Sequence, residues 1–124
     1  MSQSGTNFVP GRGDVVRVPL DPTRGHEQAG SRPALVLSPQ EYNRRTGMAV
    51  VCPITNKGKG YPFEVQIPPG LAVTGVILSD QIRSIDWVAR QATHFATLDD
   101  ETVNQVVGLV LSLVDPDGVF GVSD

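Results

Sequence analysis

The sequence predicts a mainly β, α+β domain: a small, strongly curved antiparallel sheet or barrel with a short inserted helix and a C-terminal helix packed on it. Three observations predict it. Short apolar or β-branched runs bounded by turn residues fill most of the chain. Two segments alone carry helical spacing or helix-start signals. At 124 residues, 40% hydrophobic and 19% charged, the chain suits one domain with a compact core.

The elements follow in order. Met1 to Gly11 lacks periodicity, so residues 1–12 read as a flexible N-terminus. Gly13 to Leu20 (GDVVRVPL) and Pro33 to Ser38 (PALVLS) read as strands. Between them, Asp21 to Ser31 (DPTRGHEQAGS) offers almost nothing to bury. That fits either a ligand-touching surface loop or a plain hairpin loop. Ser38-Pro39-Gln40-Glu41 reads as a capping box with proline at the first helical position, opening a short helix that Gly47 closes. Met48 to Ile54 (MAVVCPI) is a buried strand ending near Pro53. Tyr61 to Ile67 (YPFEVQI) alternates, with Phe63, Val65 and Ile67 on one side and Glu64 and Gln66 on the other. Gly75 to Ser79, then Asp86 to Arg90 around Trp87, supply two more strands. Val103, Val106, Val107, Val110, Leu111 and Val114 make one apolar helical stripe, a core-packing face. Asp99, Asp100 and Glu101 suit the positive end of that helix, and Pro116 stops it. Residues 13–114 therefore form the domain and 115–124 a flexible tail.

Composition excludes several classes. No apolar run reaches the ~20 residues of a membrane helix, and the polar N-terminus lacks a secretory pattern, so a cytoplasmic protein is expected. One cysteine and two histidines are too few for a Cys/His metal cluster, and no metal or cofactor is expected. Cys52, among Val50, Val51 and Pro53, reads as a small core hydrophobe, and His94 as solvated. The net charge of −3 argues against a non-specific nucleic-acid binder. The charges are nevertheless segregated. Up to Lys59 there are eight basic and four acidic residues; from Gly60 onward there are two basic and nine acidic. Such asymmetry permits a local basic surface on an acidic protein, as it permits mere solvated charge.

Three segments in order and spacing carry a resemblance that covers about Gly13 to Val114. They are GDVVRVPLDPTRGHEQAGSRPALVLSP, YNRRTGMAVVCPITNKGKGYPFEV and GVILSDQIRSIDWVAR. Together they resemble the MazF/PemK family of type II toxin–antitoxin ribonucleases. The resemblance implies an SH3-like barrel with a C-terminal helix, a homodimer, and metal-independent cleavage of single-stranded RNA at short sequences. It also implies inhibition by a cognate antitoxin with an acidic C-terminal segment that covers the RNA site.

The matched residues have a chemistry of their own. RNA cleavage without metal needs in-line positioning, stabilisation of charge on the phosphate and management of two protons. Arg32, at the loop edge, offers a guanidinium fork for phosphate oxygens and matches the family's catalytic arginine. Thr55, at the end of a buried strand, matches the catalytic threonine. Glu27 matches a carboxylate that assists in some members, and it can accept the 2′-hydroxyl proton. A histidine's ordinary pKa suits proton transfer near neutrality, so His26 is assigned to RNA binding or proton shuttling, with Gln28 as a loop amide that can reach a base. Asp80, Gln81 and Arg83 match the family's DQ segment; Gln81 suits a base edge, Arg83 a phosphate or base, and Ser84 adds a hydroxyl. Lys57 and Lys59, in a glycine-bearing loop, suit the RNA backbone. The rival is a CcdB-like gyrase poison on the same fold, a non-catalytic binding protein. That type acts through an aromatic C-terminal segment, whereas this chain ends GVFGVSD and carries Arg32 and Thr55.

Overall fold

The computed structural model describes residues 8–20 and 30–120. Among these, the strands are β1 (Asp14–Pro19), β2 (Ser31–Val36), β3 (Met48–Thr55), β4 (Glu64–Gln66), β5 (Val76–Leu78), β6 (Arg83–Asp86) and β7 (Thr93–Thr97). The helices are α1 (Gln40–Thr46) and α2 (Asp100–Val114), and a 3-10 turn spans Ser79–Gln81. No described helix is long and apolar enough to cross a membrane.

All strand pairs are antiparallel, in the order β4-β5-β3-β2-β1-β7, with β6 also paired to β3. β3 is the pivot. It pairs with β2 through Val51–Pro53, with β6 through Met48–Val51, and with β5 through Ile54 and Thr55. Because strand side chains alternate between faces, the apolar strands feed two clusters. Leu35, Cys52 and Ile54 enter one with Val65 and Ile77, closed by Val103 and Val106 of α2. Ala34, Val36 and Val51 enter the other with Val18, Ala49 and Ile85, flanked by Trp87.

Four local expectations are corrected. β2 spans Ser31–Val36 and not Pro33–Ser38, and Arg32, expected at the start of the strand, is its second residue, opposite Val18. The capping box does not form: Pro39 is the N-cap of α1 without a side-chain cap. The Ser38 hydroxyl instead donates to Asn43 Oδ1 at 2.6 Å, while Glu41 pairs with Arg44 and Arg45. Asp86–Arg90 is not a strand. Asp86 ends β6, and its side chain accepts from the Ala89 amide at 2.8 Å to shape a turn, with the Trp87 indole donating to the Asn43 carbonyl. β7 replaces it, an edge strand paired with β1 whose Thr93, His94 and Thr97 are exposed and whose apolar signal is faint. His94 also has partners: its Nε2 lies 3.0 Å from Thr97 Oγ1 and 3.6 Å from Asp14 Oδ1.

Candidate nucleic-acid interface

Sheet register builds the site. Ala34 pairs with Pro53 at the end of the β2–β3 ladder, and two residues beyond it on each strand stand Arg32 and Thr55, which line the same cleft. Side chains two residues apart on a strand share a face, so Arg32 follows Ala34 and Thr55 follows Pro53 to the side where both line the cleft. On the other edge of β3, Thr55 pairs with Val76 of β5. β5 runs into the 3-10 turn, which brings Asp80 and Gln81 alongside, and β6 starts immediately after with Arg83. The connection from β3 to β4 supplies Lys57 and Lys59.

These elements enclose a cleft of about 520 Å³ lined by Arg32, Thr55, Lys57, Lys59, Asp80, Gln81 and Arg83. Ser84 lies outside that lining, exposed on β6 opposite Val50, because the strand period turns it away from Arg83. His26, Glu27 and Gln28 lie outside the described residues. Two further recesses adjoin the cleft, of about 280 and 530 Å³. The first holds Ser31, Asn56 and Thr74 beside Arg32; Gly58, Gln66 and Thr74 line the second. Thr55 borders all three recesses, so it sits at the middle of a track across this face.

The cleft is cationic although the chain is acidic. Arg32, Lys57, Lys59 and Arg83 face Glu64 and Asp80 there. Among the described residues, Arg32, Lys57 and Lys59 form no ion pair, so their charge is available to an anion. Arg83 is partly committed to the fold: its Nη2 donates to the Leu20 carbonyl at 2.8 Å. Arg90 does the same for the Pro19 carbonyl at 2.6 Å, so two arginines tie down the end of β1. The Thr55 hydroxyl oxygen accepts the Lys57 amide at 3.0 Å, which ties that oxygen to the loop and leaves its proton free to be donated. Cys52, beneath the cleft, is fully buried. Burial, and secondarily the charge of Asp80, pushes its thiol up to about 12, so at neutral pH it is a protonated core group and not a nucleophile. Among the described residues, no three His, Cys, Asp or Glu side chains converge as a metal-ligand set.

Sequence reasoning missed Tyr61 and Glu64. Tyr61 lines the cleft with 60% of its surface exposed, so its ring is open to stacking. An aromatic directly after the basic run KGKG is a signal that could have found it. Glu64 points back at the loop instead of into solvent, which only the folded connection reveals.

The comparisons with known proteins agree on one family. The family model for the "PemK-like, MazF-like toxin of type II toxin-antitoxin system" matches residues 11–113. The chain is 46% identical over 109 residues to the endoribonuclease toxin MazF of Escherichia coli K12, covering 88% of this chain and 97% of that protein. A crystal structure of MazF from Deinococcus radiodurans superposes with a TM-score of 0.80 at 46% identity, covering 87% of this chain and 98% of that one. A MazE–MazF crystal structure from the same organism superposes with a TM-score of 0.79 at 41% identity, covering 88% and 98%.

Proposed function

The chain belongs to the PemK-like, MazF-like toxins of type II toxin–antitoxin systems, and on that premise we propose that the cleft at Arg32 and Thr55 cuts single-stranded RNA at short sequences through the substrate's own 2′-hydroxyl. The chain is an endoribonuclease toxin, as its relatives are named, and the gyrase-poison alternative is set aside. The observation that carries the site assignment is the shared face of Arg32 and Thr55 at the centre of a cationic track on an acidic protein.

In this mechanism the 2′-oxygen attacks phosphorus in line and the bond to the 5′-oxygen breaks. The products are a 2′,3′-cyclic phosphate and a 5′-hydroxyl. One proton leaves the 2′-hydroxyl and one reaches the departing 5′-oxygen, so the charge that must be stabilised gathers on the non-bridging oxygens. The Arg32 fork takes two of those oxygens, and the Thr55 hydroxyl donates to one. Glu27 accepts the 2′-hydroxyl proton, with His26 as a shuttle. Lys57, Lys59 and Arg83 hold the backbone, while Gln81, Gln28, Asp80 and Tyr61 meet bases. Ser84 has the weakest support, since it lies off the cleft. No divalent metal enters, because Arg32 brings the positive charge where phosphate charge develops.

Complexes of relatives with the antitoxin MazE suggest the regulator: a cognate antitoxin whose acidic C-terminal segment covers this same face. The toxin works as a homodimer in the cytoplasm. Exposed Leu111, Leu113 and Val114 at the end of α2, with Val119 and Phe120 beyond, support a covered apolar face. The test is incubation with mixed-sequence single-stranded RNA in EDTA, with the cut ends mapped. Full cleavage leaving cyclic phosphates is expected, together with complete resistance of a substrate carrying 2′-deoxyribose at the cut site. Cleavage of the deoxy substrate, or arrest by EDTA, would show the chemistry to be wrong.

A further inference from the structure

We propose that Glu64 is a positioning residue for RNA cleavage: its carboxylate holds the Lys57–Gly60 loop, and through that loop Thr55, in the geometry that receives the nucleotide strand. The inference rests on the reading of the cleft as an RNA site. Glu64 is the first residue of β4, and its backbone is fixed by pairing with Leu78 and by its amide bond to the Tyr61 carbonyl at 3.1 Å. From this rigid base the carboxylate reaches back to the preceding loop. Oε2 accepts the Lys59 amide at 2.9 Å, and Oε1 accepts the Gly60 amide at 2.9 Å with a second, longer contact from Lys59 at 3.1 Å.

An exposed carboxylate usually points into water or toward a cation. Glu64 does neither: among the described residues it has no ion-pair partner, although Lys57 and Lys59 line the same cleft. Its charge is spent on backbone amides, and such charge-assisted bonds are roughly twice as strong as neutral ones. The loop requires this anchor. It holds two glycines in four residues, and Gly60 adopts φ +81°, a conformation favouring glycine. It is also folded tightly against its support. A Cβ at Gly58 would stand 2.9 Å from Val76 Cγ2 and 3.0 Å from Glu64 Oε1.

The anchor reaches the reacting end through one further bond. At the start of the same loop the Lys57 amide donates to Thr55 Oγ1 at 3.0 Å, so that hydroxyl keeps its orientation while the loop keeps its shape. One carboxylate thus sets the path of Lys57 and Lys59 and, through the Lys57 amide, holds the Thr55 hydroxyl oxygen in place. Glu64 touches no substrate in this scheme; it acts through the loop.

The experiment compares wild type with Glu64→Ala, Glu64→Gln and Gly58→Ala, using a randomised single-stranded RNA library, kcat and KM on the preferred sequence, and amide resonances of the ¹⁵N-labelled free protein. Loss of charge-assisted bonds of this kind should raise KM about 10-fold to 100-fold in Glu64→Ala and broaden the cleaved sequences. Gly58→Ala should do likewise. Glu64→Gln keeps one oxygen to accept from Lys59 and Gly60, and should recover most of the KM and the sequence preference. The Lys59 and Gly60 amide resonances should move in Glu64→Ala and lie near wild type in Glu64→Gln. A folded Glu64→Ala with wild-type KM and cleavage profile overturns the proposal. So does failure of Glu64→Gln with those resonances unmoved, since the carboxylate would then be meeting RNA itself. If wild type cuts no RNA, the functional reading falls, while unmoved resonances in Glu64→Ala are what would overturn the anchoring.

Discussion

Arg32 and Thr55 line one cleft because each lies just beyond the paired stretch of β2 and β3, and neither residue is unusual in its type. An arginine in an edge loop would add to general surface charge; on β2, lining one cleft with Thr55, it is placed to present a planar fork to a phosphate, the role proposed for it. Arg32→Ala should therefore cost about 3–4 kcal/mol of transition-state stabilisation, a fall in kcat of about 10²–10³. RNA binding should fall far less, because Lys57, Lys59 and Arg83 still line the cleft. Arg32→Lys should restore part of the rate, keeping charge and losing the second prong. Single-turnover rates and filter-binding affinities measured together check this, and equal losses in both would make Arg32 a general binding residue.

At the scale of elements, α2 shows how a local electrostatic device supports the core beneath the site. The Asp99 carboxylate caps the helix by accepting the Thr102 amide at 3.0 Å and the Thr102 hydroxyl at 2.8 Å. Those bonds, the backbone one foremost, hold its pKa below the usual carboxylate value. A group with a folded pKa below its unfolded one stabilises the native state above the unfolded value, near pH 4 (about 3.9). That contribution is lost as pH falls through the lower folded value. Melting temperatures taken from neutral pH down through this window should drop less steeply in Asp99→Asn than in wild type. Identical acid slopes in the two proteins would remove Asp99 from the account. α2 in turn delivers Val103 and Val106 to the cluster that contains Cys52 and Ile54, the residues just before Thr55 on β3.

For the whole molecule, the decisive property is segregation of charge. A net charge of −3 repels RNA at a distance, yet one face gathers four cations. On the proposed reading, an acidic antitoxin segment is attracted to that face by the same cations that would attract RNA. Its affinity should fall markedly as salt rises, and it should compete with RNA. Titration of toxin with the antitoxin's C-terminal peptide from low to high ionic strength measures this, and an affinity indifferent to salt would count against a shared site. Sedimentation at micromolar concentration should show a dimer, whose formation covers the apolar end of α2; a species that stays monomeric would remove that assignment.

The sequence by itself determined the mainly β class, the positions near β1, β3 and β5, the late helix, and the kinds of side chain available for RNA chemistry. These are legible because strand and helix periodicity, turn residues and residue chemistry are local. Tertiary structure decided the rest. β7 escaped notice because an edge strand with Thr93, His94 and Thr97 exposed carries little apolar pattern. The capping box failed because Asn43, fully buried and bonded to Ser38 and to the Pro10 carbonyl, draws the Ser38 hydroxyl away from the helix end. Glu64 had the spacing of a solvated strand residue, and its role appeared only when the loop before it folded back over its carboxylate. Periodicity records which face a residue occupies, but what waits at that face is set by chain segments far apart in sequence.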